Sequence, residues 1–489
     1  MQAIINGKFV DASDKSTLDI INPYTQKVVS KVPNCTPKDV NKAVEYAVKT
    51  QKKWAKVPVY QKVEILNKFL DLVDENRQDI AKTLTLEMGR PITQSLAEVD
   101  NIRIAFNAFS EKAKHLYGNV IPAGTEAGQD NTIQLTVREP LGVMVAIIPF
   151  NFPLDLFDQK VAPAILAGNT VIVKPPHQNP TAIIKLVKLM HDAGLPNGVV
   201  QVLTGDGAKA GDALTKHPQV HGISFTGSVP VGKSVYMNGA SHLAHTTLEL
   251  GANDAFIVLE DANLDLAAEE IVWGRMYNAG QVCVASKRFI VDKKVLKEFE
   301  EKVVARLQKV VVGNPLDKKT YVGTLVTKFA CDKVEKQVAK IIEQGGKLIY
   351  GGKREGAIYY PTVITNIPKT ADVAIDEEVF GPVVSIIPCD GVEEAVEIAN
   401  QTSYGLGSCV FTRDMNTAFK VASALEAGGC VINGASFHRS FEMPFGGYKI
   451  SGIGTEGVMS TFDQVTKTKT ITLKNILKWH KILNFVIYC

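Results

Sequence analysis

The 489-residue chain lacks any apolar run long enough to cross a membrane. The longest such run, residues 143–150, is far shorter than the roughly 20 residues that a membrane helix needs. The opening segment turns acidic early and lacks the apolar core of a secretory signal. Basic and acidic residues are nearly balanced, at 54 and 51, without the basic block typical of nucleic-acid binding. These absences favour a soluble protein with no membrane or nucleic-acid partner.

Cysteine is also scarce. Seven cysteines are scattered at positions 35, 283, 331, 389, 409, 430 and 489, and neither they nor the histidines show metal-ligand spacing. An odd and sparse set favours free thiols in a reducing compartment over a disulfide scaffold. We therefore expect a cytoplasmic protein that requires no metal.

The length predicts two or three domains, each with its own core. From Gly142 onward, strands and helices alternate as in a doubly wound sheet, which binds its ligand beyond the carboxyl ends of its strands. The predicted strands of this sheet are 143–148, 170–173, 199–203, 222–225 and 254–258, with helices at about 155–167, 180–193, 207–216 and 230–240. A second, mostly parallel sheet is predicted from strands 288–291, 363–365, 383–388, 409–411 and 430–432.

The first part of the chain and two later segments have other patterns. Residues 36–109 carry apolar residues at three- and four-residue spacing, which predicts a helical scaffold. Residues 132–137 and 466–473 alternate polar and apolar side chains, as strands do. In a monomer these strands would leave exposed edges, which an oligomer could cover.

One cysteine lies in an unusual segment, NAGQVCVASKR at 278–288, where small neighbours leave the thiol of Cys283 unencumbered. A cysteine is a good nucleophile only as the thiolate, and its unperturbed pKa is about 8.5. A single cysteine is nevertheless more often a small buried hydrophobe. Motifs elsewhere in the chain decide between these two interpretations.

The chain contains six further motifs: PFNFP at 149–153, VKPP at 173–176, FTGS at 225–228, LELG at 248–251, EEVFGP at 377–382 and PFGG at 444–447. Together with the Cys283 segment, they resemble the NAD(P)-dependent aldehyde dehydrogenase superfamily, in that family's order and from about residue 5 to residue 473. The resemblance implies an α/β fold with two doubly wound Rossmann-like lobes and a small β oligomerisation arm.

The resemblance also implies a domain division and an oligomer. The NAD(P)-binding domain would comprise residues 1–121 and 141–251, and the catalytic domain residues 252–452. Residues 122–140 and 453–473 would form the arm of a homodimer or homotetramer. Residues 474–489 extend past the usual end of relatives and have no assigned role.

Three residues match the catalytic positions of the family. Cys283 would be the nucleophile, and the amide of Asn151 would hold the oxyanion together with the main-chain N–H of Cys283. Glu249 would activate the water that hydrolyses the thioester. Its presence argues against the CoA-acylating branch, which lacks a glutamate there. Taken without the family, Asn151 could cap a turn and Glu249 could form a structural ion pair.

The cofactor, NAD or NADP, would be bound by residues that follow strand ends. By resemblance, Lys174 bonds the adenosine ribose, Gly227 and Ser228 approach the pyrophosphate, and Glu378 and Phe380 hold the nicotinamide ribose and ring. Ile147 and Pro149 complete this set. Many NAD-preferring relatives have a glutamate where this chain has His177, so the repulsion of a 2′-phosphate is absent and use of NADP is plausible.

The substrate tunnel, matched to the family, would be lined by Phe152, Leu156, Gln159, Tyr277, Arg439 and Phe445. An amide, a phenol and a guanidinium predict a small polar or anionic aldehyde, of the succinate semialdehyde, lactaldehyde or glyceraldehyde type. Well-studied succinic semialdehyde enzymes carry arginines at the positions of Gln159 and Tyr277, although Ser440 does match. In the alternative, Arg439 points to solvent and the enzyme is a broad aliphatic dehydrogenase.

Some features stay open at this stage. A catalytically silent binding paralogue and an acyl-transferring enzyme are further alternatives. Asp155 and Asp158 could favour a cationic aldehyde if they reached the tunnel, but the sequence favours the surface of a helix. The segment Ala252, Asn253 and Asp254 departs from the family's usual ELGGK pattern, and the sequence offers no interpretation of the last two residues.

Overall fold

The computed structural model describes residues 1–474. Apart from Lys474, the predicted tail therefore lies outside the described residues. No helix within this range is long and apolar enough to cross a membrane.

The first third of the chain is helical, as its apolar spacing predicts. Three helices, Val59–Glu75, Arg77–Met88 and Ile92–Ala113, pack their apolar faces into one large core, whereas the first helix, Pro37–Trp54, packs Val40, Val44 and neighbouring alanines into a separate cluster. Thr36 and Asp39 form a capping box at the start of the first helix. Gly89 ends the third in the left-handed conformation, at φ 78°, which glycine adopts without a Cβ clash.

The first large sheet has eight strands. Their spatial order is Lys8–Val10, Ala3–Ile5, Val200–Val202, Thr170–Lys174, Val143–Ile147, Gly222–Thr226, His245–Glu249 and Gly452–Ile453. The five strands from Val200–Val202 to His245–Glu249 are parallel. The helices between them are Pro153–Leu166, Thr181–Asp192, Asp212–Thr215 and Val229–Ala240. This is the predicted doubly wound sheet, and its carboxyl ends lie along one edge.

The second sheet has seven strands, in the order Lys347–Tyr350, Thr362–Thr365, Val383–Cys389, Arg288–Asp292, Ala255–Val258, Ser408–Phe411 and Val431–Ile432. All neighbours are parallel except the first pair. Its helices are Leu264–Ile271, Leu296–Leu307, Lys328–Glu343, Asp372–Ile375, Gly391–Asn400 and Met415–Ala424.

One strand assignment was wrong. Residues 254–258 were predicted in the first sheet, but Ala255–Val258 pairs with Arg288–Asp292 and Ser408–Phe411 in the centre of the second. The fifth parallel place in the first sheet is taken by His245–Glu249. The sequence HTTLE of His245–Glu249 is mostly polar, whereas AFIV at Ala255–Val258 is an apolar run, so the more apolar segment was assigned to the first sheet. The chain therefore crosses between the sheets at residues 250–254, directly after Glu249.

The predicted pairing of the two alternating segments is confirmed. Thr132–Pro140 and Thr466–Lys474 pair antiparallel over their full lengths, and Val120–Ile121 adds a third strand. The helix Thr461–Val465 leads into the last strand. Two small hairpins complete the described strands, Thr17–Ile21 with Val28–Pro33 and Arg354–Glu355 with Ile358–Tyr359.

Candidate active site

Three predicted catalytic residues approach one another where the two sheets meet. Asn151 follows the strand Val143–Ile147 and precedes the helix Pro153–Leu166, while Glu249 ends its own strand. Cys283 lies in the segment that leads into the second sheet and packs in a small apolar cluster. The charge of Glu249 acts on the Cys283 thiol, and the side chain of Asn278 donates to the carbonyl oxygen of Asn151 at 3.0 Å.

The backbone before Cys283 is strained. Asn278, Ala279 and Gly280 are all left-handed, with φ of 50°, 52° and 74°. Such a conformation is costly for alanine and persists only where the surroundings impose it. Gln94 accepts from the Asn278 N–H at 2.9 Å, and the Gln281 amide donates to the Asn278 carbonyl at 3.0 Å. These bonds hold the corner that sets the direction of the following residues.

Arg90 is a residue that sequence reasoning missed. It is buried, and it donates to the Asn151 carbonyl oxygen and, at 3.3 Å, to the Asn278 side-chain oxygen. It also forms a buried ion pair with Glu98, whose other oxygen accepts from the Leu154 N–H at 2.9 Å. One guanidinium thus links the segment of Asn151 to the segment of Asn278 that precedes Cys283. The only signal in the sequence is that Arg90 stands between Gly89 and Pro91, two residues that mark a turn.

Cys283 is half-buried, and its electrostatic surroundings are mixed. Burial raises the pKa of its thiol to about 11, and the charges of Asp254 and Glu249 act in the same direction. Lys287 and Arg439 oppose them and favour the thiolate. The positive groups around the thiol are therefore what can bring it toward a reactive state.

Glu249 is buried, with 3% of its surface exposed, and neither carboxylate oxygen has a hydrogen-bond partner within residues 1–474. Burial and then the charge of Glu456 raise the pKa of this carboxyl well above its ordinary value, while Lys160 and Arg439 lower it. Lys160 and Glu456 themselves form a buried ion pair, which the sequence analysis did not identify. A raised pKa makes the carboxylate form of this group a stronger base, which favours removal of a proton from water.

Three of the predicted cofactor residues, Lys174, Gly227 and Ser228, lie at the carboxyl edge of the first sheet. Lys174 ends its strand and is buried, and this burial lowers the pKa of its ammonium to about 8. Ser228 is the exposed N-terminal cap of the helix Val229–Ala240, where main-chain N–H groups can bind a phosphate. A Cβ on Gly232 would lie 2.4 Å from Leu250, so glycine lets this helix approach the strand closely. This donor set fits a dinucleotide.

Other predicted cofactor residues lie on both sides of the junction. Ile147 and Pro149, half-buried, end the central strand, and Phe380 contacts Phe150 with ring centres 6.0 Å apart. His177 is exposed beyond Lys174, and partial desolvation followed by the charge of Lys174 lowers the pKa of its imidazole.

Glu378 is the carboxylate of the second sheet that faces this edge. Its side chain is 20% exposed, and one of its oxygens lies 3.3 Å from the Lys287 ammonium and accepts from the Ala252 N–H at 3.4 Å. A partly exposed carboxylate fits a sugar hydroxyl as a hydrogen-bond acceptor.

An aromatic cluster encloses the approach to Cys283. Phe152 stacks on Tyr277 with ring centres 6.2 Å apart, and Phe437 lies 5.9 Å from Phe152 and 4.8 Å from Trp273. Sequence reasoning identified Phe152 and Tyr277 but missed Trp273 and Phe437, which come from other elements. Only the fold brings the four rings together.

The remaining predicted substrate residues have different environments. Leu156 and Gln159 are buried on the helix after Asn151, and both polar atoms of the Gln159 side chain are unpartnered in the described part of the chain. The guanidinium carbon of Arg439 lies 3.8 Å from the centre of the Phe445 ring. Arg439 and Phe445 line one pocket, together with His438 and Met443.

The prediction of a helical surface for the two aspartates was wrong. Asp158 is completely buried, Asp155 is half-buried, and three of their four carboxylate oxygens are buried without a partner among residues 1–474. Burial, followed by the charge of Glu98, raises the pKa of Asp155 to about 8. The helix Pro153–Leu166 is buried almost all round, so its polar residues cannot mark an exposed face.

The uninterpreted segment after Glu249 has a structural explanation. The Asn253 amide donates to the carbonyl oxygens of Val373 at 3.1 Å and Ile375 at 3.0 Å. Asp254 accepts from the Gly407 N–H at 3.0 Å, and its main-chain oxygen accepts from the N–H groups of Lys287 and Arg288. Asn253 and Asp254 thus attach the crossing segment to the second sheet.

Known proteins with similar sequences and structures agree with the resemblance to aldehyde dehydrogenases. The aldehyde dehydrogenase family model matches residues 9–471. The chain is 38% identical over 469 residues to a 3-sulfolactaldehyde dehydrogenase of Priestia aryabhattai, covering 96% of this chain and 97% of that relative. It is 37% identical over 472 residues to a lactaldehyde dehydrogenase of Methanococcus aeolicus, covering 96% and 98%. An E. coli NADP-dependent enzyme of known structure is 33% identical, with a TM-score of 0.94 over 97% of this chain and 98% of that one.

Proposed function

Because the chain belongs to the aldehyde dehydrogenase family, we propose that it oxidises a small anionic or hydroxylated aldehyde to the carboxylate. The protein is an NAD(P)-dependent aldehyde dehydrogenase, and its recognised relatives include enzymes of either cofactor. The choice of aldehyde and the roles of individual residues belong to the proposal.

The proposal of an anionic or hydroxylated aldehyde rests on the environment of the Arg439 side chain. Its Nε and Nη2 atoms are buried and make no hydrogen bond to any residue from 1 to 474, and none of the described ion pairs includes it. Arg439 as a whole is half-buried, but two buried guanidinium nitrogens without an acceptor are costly. A bidentate bond to a carboxylate, sulfonate or phosphate would satisfy both of them. Stacking on Phe445 fixes the plane of the group. A guanidinium that points entirely into solvent would not bury these two nitrogens.

The names of the relatives agree with a polar substrate. Lactaldehyde is a 2-hydroxyaldehyde, and 3-sulfolactaldehyde adds a sulfonate to the same skeleton. In this chain the unpartnered amide of Gln159 could bond a substrate hydroxyl. The phenol of Tyr277, by contrast, already donates to the Gln94 carbonyl oxygen at 3.4 Å. The tunnel thus offers one cation and one neutral amide.

We infer the following division of roles. The Cys283 thiolate adds to the aldehyde carbon, and the Asn151 amide and the Cys283 N–H hold the oxyanion. Bound NAD(P)⁺ supplies the hydride acceptor, for which Lys174, Ser228 and Glu378 form the binding surface. Glu249 then takes a proton from water, which attacks the thioester and releases the carboxylate.

The test is a substrate panel with both cofactors. Succinic semialdehyde, lactaldehyde, 3-sulfolactaldehyde, glyceraldehyde 3-phosphate and propanal are each mixed with the enzyme and NAD⁺ or NADP⁺, and formation of NAD(P)H is followed by absorbance. A higher kcat/KM for an anionic or hydroxylated aldehyde supports the proposal. A flat profile that favours propanal would contradict it and return the protein to the broad aliphatic class.

We also propose a homodimer or homotetramer built on the three-stranded arm. The last strand, Thr466–Lys474, lies at an edge of that sheet and is exposed along most of its length. An exposed edge is a template for pairing with another chain. Sedimentation equilibrium of the purified protein should give twice or four times the chain mass, and a monomer at all concentrations would refute this part.

A cytoplasmic location is the last part of the proposal. The six cysteines within the described residues are free thiols. Free thiols persist in a reducing compartment. Fractionation of cells that produce the protein should recover the activity with cytoplasmic markers.

A further inference from the structure

Lys287 lies next to the predicted nucleophile and has no role in the proposal above. Its side chain is 1% exposed, and its ammonium donates to the main-chain carbonyl oxygen of Cys283. The same ammonium lies 3.3 Å from a carboxylate oxygen of Glu378. A buried lysine is costly unless its charge is paired and its protons are bonded. Both conditions are met by groups of the active site.

The backbone of Lys287 is held by the segment that the sequence analysis could not interpret. Its N–H donates to the Asp254 carbonyl oxygen at 3.0 Å. The Asp254 carboxylate is buried, and one of its oxygens has no hydrogen-bond partner in residues 1–474. Burial raises the pKa of this carboxyl to about 6, and the charge of Lys287 opposes that rise. Asp254 and Lys287 are therefore two buried groups of opposite charge, and both act through space on the Cys283 thiol.

We propose that Lys287 is a positioning residue whose buried ammonium fixes the main chain of Cys283 and favours the thiolate form of this cysteine. The inference rests on the proposed role of Cys283 as the nucleophile. Through its contact with Glu378, the same lysine joins the nucleophile to the carboxylate that we propose for the cofactor ribose. Asp254 opposes Lys287, so the two residues together set how readily the thiol ionises.

Four charged groups act on the thiol, and they come from different elements. Lys287 and Arg439 lower the pKa of Cys283, whereas Asp254 and Glu249 raise it. Lys287 is the stronger of the two positive influences. An opposite charge a few ångströms away shifts a pKa by about 1 to 3 units. Removal of Lys287 and removal of the Asp254 charge should therefore shift the ionisation of Cys283 in opposite directions.

The experiment measures the thiol itself, without aldehyde or cofactor. The purified full-length enzyme is alkylated with iodoacetamide across a range of pH, and modification of the Cys283 peptide is quantified by mass spectrometry. The variants are Lys287→Met, Lys287→Arg and Asp254→Asn. The matched control is Lys293→Met, because Lys293 forms an exposed ion pair with Asp390 at 2.6 Å.

For Lys287→Met, the inflection of the alkylation rate should move up by about one pH unit or more. In Lys287→Arg the inflection should lie close to its wild-type pH, and in Lys293→Met it should be unchanged. Asp254→Asn should move the inflection down, because the amide keeps an acceptor for the Gly407 N–H but removes the negative charge. A general loosening of the site would not produce shifts of opposite sign.

Two results would overturn the inference. One is an unchanged or lower inflection in folded Lys287→Met, and the other is a shift of Lys287→Met and Asp254→Asn in the same direction. If Lys287→Met does not fold, Asp254→Asn decides, since an unchanged or higher inflection contradicts the proposal. Failure of the proposed function is distinguishable, because it shows as absence of NAD(P)H formation by the wild-type enzyme with every aldehyde of the panel.

Discussion

The buried guanidinium of Arg90 donates a hydrogen bond to the main-chain carbonyl oxygen of Asn151. A loop residue between the helices Arg77–Met88 and Ile92–Ala113, 61 positions away in sequence, therefore fixes the residue that we propose for the oxyanion. The same arginine is paired with Glu98, which accepts from the first turn of the helix after Asn151. This relationship makes the catalytic corner dependent on a buried ion pair.

Arg90→Met should destabilise the protein, because it leaves Glu98 buried without its counter-charge. Breaking a buried pair costs about 3–5 kcal/mol of folding free energy. Urea unfolding followed by fluorescence measures the change. The control is Arg77→Met, whose partly exposed pair with Asp100 should contribute at most about 1 kcal/mol. Equal losses in the two variants would contradict the importance of the buried pair.

Cys283→Ala should abolish formation of NAD(P)H while cofactor binding, measured by fluorescence titration, is retained. The alanine removes the nucleophile but none of the groups that we assign to the cofactor. Cys331→Ala is the matched control, since that thiol lies in the core of the second sheet and should be dispensable for chemistry. Turnover by Cys283→Ala would refute the assignment of the nucleophile.

Glu249→Gln should slow steady-state turnover by about 10²- to 10⁴-fold, the usual contribution of a general base. The first-turnover burst of NAD(P)H should change much less, because thioester formation precedes the step that needs this base. Stopped-flow absorbance separates the two phases. Equal loss of burst and steady state would argue against a role in deacylation.

The pH dependence of kcat should report the same residue. Only the carboxylate form of Glu249 can accept a proton, and burial raises the pKa of this group above its ordinary value. Activity should therefore be lost as the pH falls through that raised pKa and recovered above it. In Glu249→Gln this inflection should disappear. Persistence of the same inflection in the variant would assign it to another group.

Arg439→Met should raise KM for anionic aldehydes and leave propanal almost unaffected. Loss of a hydrogen bond to a charged group costs about 1.5–3 kcal/mol, which corresponds to roughly 10- to 100-fold in kcat/KM. Methionine keeps apolar contact with Phe445, so the comparison isolates the charge. The same change for both classes of aldehyde would mean that Arg439 supports the tunnel without binding the substrate.

His177→Glu should reduce kcat/KM with NADP⁺ more than with NAD⁺. The new carboxylate would repel a 2′-phosphate and could still bond the ribose hydroxyls of NAD⁺. His177→Gln is the uncharged control and should keep the wild-type ratio more closely. If the ratio of the two cofactors is the same in all three proteins, His177 does not face the adenosine ribose.

Local patterns predicted the scaffold well. The helical region before Phe109, the parallel strands of both sheets and the pairing of the two arm strands follow from side-chain periodicity, which is a property of neighbouring residues. The failures involved tertiary context. Residues 254–258 were placed in the wrong sheet, and Asp158 was expected at the surface, because neither pairing partners nor neighbouring helices are visible in a short window.

Motifs of a few adjacent residues were enough to predict the family and to propose Cys283, Glu249 and Asn151 for catalysis. Which side chains surround those residues depends on the tertiary structure. Arg90 at the Asn151 carbonyl, Lys287 at the Cys283 carbonyl and the unpaired burial of Arg439 arise from contacts between distant segments. Charge and desolvation act through space, so the chemistry of the site depends on which groups the fold buries together.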